Sequence, residues 1–153
     1  MGDYLRTTRE CTFGSLNPIL TASVRAHIEK YELGDIEASV LICCETTSTR
    51  KKKGLFGGKT EVFLTGMVLT PQWFIWASGK ENAALGVHSA RLRDVRVQDY
   101  EKSDMYKLVQ DTGLNISGLR TDSADTGSIF IGLGPEPAAQ KFRDMLKEAI
   151  AKV

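Results

Sequence analysis

The chain has 153 residues, 42% hydrophobic and 25% charged, and 20 Lys and Arg against 19 Asp and Glu leave a formal net charge of +1. A chain of this size suits one domain and buries roughly 68–70% of the surface its unfolded form exposes, so neither disulfides nor metal are needed to hold it together. The charge balance excludes a generally basic nucleic-acid binder and a disordered acidic tail.

Residues 1–14 are mixed polar and show no period. They carry no apolar run of the signal-peptide kind, and Arg6 stands where a myristoylation signal requires Ser or Thr. Asn17 and Pro18 predict a helix start, with Asn as cap and Pro at the first helical position. Leu16, Leu20, Val24, His27, Ile28 and Tyr31 recur at three- and four-residue spacing, and Gly34 predicts the stop, giving a helix at about 17–33.

The middle of the chain alternates. Ile36, Ala38, Val40, Ile42 and Cys44 fall on one face and Glu37, Ser39, Glu45 and Thr47 on the other, which predicts one long strand over 36–47. Glycines and charge make 50–59 a loop. A second strand follows at about 60–70, with Val62, Leu64 and Val68 opposite Phe63, Thr65, Met67 and Leu69. Pro71 and Gln72 turn the chain into an aromatic-rich third strand, 73–78. Shorter strands are predicted at 83–89, 94–100, 114–119 and 128–133, with 120–127 a turn and 101–112 a polar loop or, at Met105, Tyr106, Leu108 and Val109, one turn of helix or a strand edge. An amphipathic helix entered through Pro135 and Pro137 closes the chain. Ala138, Phe142, Met145, Leu146, Ala149, Ile150 and Val153 line its apolar face; Lys141, Arg143, Asp144, Lys147 and Lys152 line the other.

A helix, about seven strands joined by turns, and a final helix predict an α+β, mostly β fold. Two antiparallel sheets would form a roll or partly open barrel with the C-terminal helix capping it. The expected division is an N-terminal segment, 1–34, and a domain, 35–153. The N-terminal helix stripe must bury on that domain or across a dimer.

Leu64-Thr65-Gly66-Met67-Val68-Leu69 followed by Phe74-Ile75-Trp76, with Leu92-Arg93-Asp94-Val95-Arg96-Val97 and a last helix further on, resembles the bacterial pleckstrin-homology-like domains over residues 36–153. The resemblance implies a PH-like roll and a non-enzymatic module that binds lipid headgroups, peptides or proteins. In that family the loop between the first two strands holds phosphates. Here that loop is 50–59, and the family's second basic residue is replaced where Lys59-Thr60 leads into Glu61.

The loop itself concentrates charge. Arg50, Lys51, Lys52, Lys53 and Lys59 are basic, no acid lies between Glu45 and Glu61, and Leu55 and Phe56 stand at the tip. Basic shoulders around an apolar tip are what an interfacial contact with an anionic membrane needs, each cation contributing ~1 kcal/mol. The five cations are the expected anion-binding residues and Leu55 and Phe56 the expected membrane contacts. A solvated hairpin tip is the plain structural alternative. Gly54 to Thr60 falls one residue short of a phosphate-binding P-loop, and a strand rather than a helix is expected after it, so nucleotide binding is rejected.

His27 and His88 have no metal-ligand neighbour at helical spacing, and Cys11, Cys43 and Cys44 have no zinc spacing. An odd cysteine count with two adjacent is no disulfide framework; they read as small packing residues in a reducing compartment. No role-bearing constellation marks an enzyme. The sequence therefore predicts a cytoplasmic binding module without a cofactor, without nucleic acid and without a transmembrane segment. Its partner is an anionic lipid surface or, alternatively, another protein or a second copy of the chain, met at a sheet edge or beside the last helix.

Overall fold

The computed structural model describes residues 4–51, 60–120 and 126–153. In chain order they form β1 (Leu5–Cys11), α1 (Pro18–Lys30), β2 (Ile42–Lys51), β3 (Thr60–Leu69), β4 (Trp73–Lys80), β5 (Gly86–Arg91), β6 (Arg96–Asp99), β7 (Gly113–Arg120), β8 (Thr126–Gly132) and α2 (Pro137–Ala151). Every strand pairing is antiparallel. The strands β1 to β5 build a five-stranded sheet and β6 to β8 a three-stranded one, each in chain order, and the two do not join into a closed barrel. The mostly β, two-sheet arrangement with an N-terminal and a C-terminal helix is the expected one, with eight strands among the described residues where about seven were expected and with β1 ahead of α1.

The large sheet is buried on both faces where β2, β3 and β4 meet. Ile42, Cys44, Met67, Leu69, Phe74 and Trp76 share one core with Leu114, Ile116 and Ile131 of the small sheet and Phe142 and Leu146 of α2. Cys43, Leu64, Val68, Ile75 and Ala77 form a second core with Leu16, Leu20 and Val24. Two-sided burial explains why these strands are apolar at successive positions. It also settles where the α1 stripe goes: onto the outer face of the large sheet. A Cβ on Gly66 would stand 3.3 Å from the Leu20 side chain, so the bare glycine lets the helix approach.

Four local expectations are corrected. Residues 1–14 contain a strand, β1, whose inward side chains are polar. Arg6 donates to both oxygens of Asp111 at 2.9 and 2.8 Å, and Thr8 shares a hydrogen bond with Thr46 at 2.8 Å. The strand predicted from Ile36 starts only at Ile42, because Glu37–Ser39 is a 3-10 turn held by Asp35 Oδ1, which accepts from the Ala38 N–H at 3.3 Å. α1 ends at Lys30, ahead of Glu32 and Gly34, both with positive φ. Arg143 is not on a solvated helix face; it is 9% exposed and reaches Asp99 and Glu101 at 2.9–3.0 Å. The N-terminal cap is as read: Asn17 Oδ1 accepts from the Ile19 N–H at 3.1 Å with Pro18 at the first position.

No helix among the described residues is long and apolar enough to cross a membrane.

Candidate functional site

The helix α2 covers the end of the large sheet that holds Ile42, Cys44, Met67 and Leu69. Lys51 lies seven residues beyond Cys44 on β2, roughly 23 Å away at ~3.3 Å per residue. There β2 ends opposite the start of β3, Lys51 facing Thr60 in register. β2 therefore ends, and β3 begins, at the end of the sheet remote from α2. A strand follows the segment 52–59, where a P-loop requires a helix N-terminus.

Arg50 is the one expected anion-binding side chain the structure describes in full. Its guanidinium meets Glu61 at 2.7 Å and stands 5.1 Å from the Tyr4 ring centroid. Lys80 approaches the other Glu61 oxygen at 3.4 Å. Arg50 is thus committed to the root of the hairpin, and Glu61 offsets the cations on either side of it. Lys52, Lys53, Leu55, Phe56 and Lys59 lie outside the described residues.

A second surface was not legible in the sequence. A groove of about 680 Å³ runs along β5, with the end of α1 on one side and the β7–β8 hairpin on the other. His27 and Tyr31, Trp73 and Trp76, and Leu119 and Ile129 line it. Its backbone wall follows from the register. The Leu92 N–H donates to the Gln72 carbonyl at 2.9 Å, in line with the β4–β5 ladder. Bonded and non-bonded pairs alternate in an antiparallel ladder, so Ala90, His88 and Gly86 bond to β4. Val87, Ser89 and Arg91 consequently point their N–H and C=O groups away from it, into the groove.

The histidines meet here. His27 Nε2 lies 2.9 Å from Ser89 Oγ, and its ring is 4.6 Å from that of Tyr31. Burial pushes the His27 pKa down, and the neighbouring His88 and Lys30 push it further, so the neutral ring is favoured. His88 is exposed and stacks on Trp76, ring centroids 5.6 Å apart. No carboxylate hydrogen-bonds His27 among the described residues, so the Ser–His contact reads as a tie between α1 and β5. Arg91 stacks over Trp73 at 4.9 Å. The sequence signal for the groove was slight: the strand that carries Trp73 and Trp76 was legible, but His27 and Ser89 are 62 residues apart.

Cys43 and Cys44 are buried on opposite faces of β2, and burial raises both thiols to about 12. Among the described residues no group of three or more His, Cys, Asp or Glu is placed to hold a metal ion. In comparisons with known proteins, no family model matches the chain and no curated protein is similar to it.

Proposed function

We propose that the chain is a non-enzymatic, PH-like binding module that meets an anionic lipid surface through the segment 50–59. One observation carries the reading: the most basic segment of the chain is the link between two ten-residue strands at the sheet end remote from α2. In this reading Lys51, Lys52, Lys53 and Lys59 meet the anionic headgroups and Leu55 and Phe56 enter the acyl boundary. Two antiparallel meanders closed at one side by a C-terminal helix support the PH-like roll. The reading involves no cofactor and no nucleic acid, and it puts the protein in the cytoplasm, peripheral to the membrane. Co-sedimentation with phosphatidylserine and phosphatidylcholine vesicles tests it. Pelleting with the first and not the second is expected; equal pelleting of the wild type and a Lys51/Lys52/Lys53→Ala variant overturns it.

A second reading, association with another protein, is favoured by a different observation: the outward backbone groups of β5 beside an open groove.

A further inference from the structure

The groove along β5 combines three properties. First, Val87, Ser89 and Arg91 turn outward backbone donors and acceptors that have no partner among the described residues, a template for another strand. Second, its walls are apolar, with Trp73 on the α1 side and Leu119 and Ile129 on the hairpin side. Third, its charge is one-sided. Among the described residues Arg91 and Arg93 line it against one acid, Asp94. Among the described residues neither Arg91 nor Arg93 has an ion-pair partner; Arg91 rests on the Trp73 ring.

We infer that an extended, acidic segment of a partner protein adds to β5 as a sixth strand, pairing its backbone with Val87, Ser89 and Arg91 and its carboxylates with Arg91 and Arg93. A six-residue edge accommodates a segment of roughly 17–20 Å. Side chains of the added strand alternate, one set facing the end of α1 and the other facing the β7–β8 hairpin. A second copy of this chain fits poorly, because β5 against β5 sets one basic edge on another. The inference rests on the protein-association reading and is independent of the lipid one.

Short synthetic peptides alternating valine with glutamate, or valine with lysine, serve as probes in amide NMR titrations of the whole chain. The glutamate peptide is expected to slow amide exchange at Val87, Ser89 and Arg91 and to bind at least about tenfold more tightly than the lysine peptide. Ser89→Pro removes an outward donor and is expected to abolish binding; Arg91→Glu, which leaves the backbone intact, is expected to reverse the peptide preference. The Lys51/Lys52/Lys53→Ala variant should bind the peptide like the wild type, which separates this result from the vesicle experiment. No shift at these three amides at about millimolar peptide, equal binding of both peptides, or self-association through β5 in their place overturns the inference.

Discussion

His27 on α1 and Ser89 on β5 meet at 2.9 Å, Nε2 to Oγ. The contact fastens the end of the helix over the edge strand of the large sheet. It sets one wall of the groove at the same time, so the packing of α1 and the shape of that surface are linked.

Acidification loosens this link. The His27 pKa is lowered by burial first and by His88 and Lys30 after it. The unfolded chain therefore takes up the proton at a higher pH than the folded one. The stability held by the neutral ring is complete above the unfolded value near 6.5 and is lost as the pH falls through the lower folded value. Thermal unfolding should show a lower Tm at about pH 5.5 than at about pH 7.5, with a smaller difference in His27→Gln. An equal pH dependence in the two proteins contradicts this.

Arg143 is a buried cation with two carboxylates. Burial alone would raise the pKa of Asp99 and Glu101, but hydrogen bonds outweigh it and hold both low: Lys147 and Arg143 on Asp99, and Arg143 with the Gly113 N–H on Glu101. Arg143→Met should cost about 2–3 kcal/mol in urea unfolding near neutral pH, reduced from a fully buried pair because the carboxylates keep some solvent. The native pairing is complete above the unfolded carboxylate range and is lost as the pH falls through the lowered values. The variant should thus lose less stability than the wild type between about pH 5.5 and about pH 3.

Leu20 is fully buried against Gly66. Leu20→Ala should cost about 2–5 kcal/mol by chemical denaturation. Gly66→Ala should destabilise the wild type by pressing a Cβ on Leu20 and cost less in the Leu20→Ala background, where the space is open. Strict additivity of the two would show that they do not press on each other.

Thiol labelling of the native protein near neutral pH should modify Cys11 first, since it alone is partly exposed. Cys43 and Cys44, raised to about 12 by burial, should react only after denaturant is added. Rapid native labelling of all three would contradict the packing of β2.

The sequence made the architecture legible wherever burial follows a period. Phe142, Leu146 and Ala149 announce the α2 stripe, whereas the alternation through Cys44 implies one buried face and β2 is covered on both, Cys44 in one core and Cys43 in the other. β1 was missed because its inward positions, Arg6 and Thr8, are satisfied by distant polar partners, which no hydropathy period records. Ile36 was misread because its alternation with Ala38 continues into a turn set by a side-chain hydrogen bond. Of the candidate surfaces, the basic segment could be read directly, since its residues are contiguous. The groove could not, because its polar groups come from α1, β5 and the Leu92–Asp94 turn and meet only on folding.

The proposed function rests most directly on the affinity of the chain for phosphatidylserine vesicles before and after Lys51, Lys52 and Lys53 become alanine. At ~1 kcal/mol per cation near the surface, the account predicts about a hundredfold loss, shrinking as salt is raised, with the peptide titration at β5 unchanged. A loss below about threefold at low salt would contradict it.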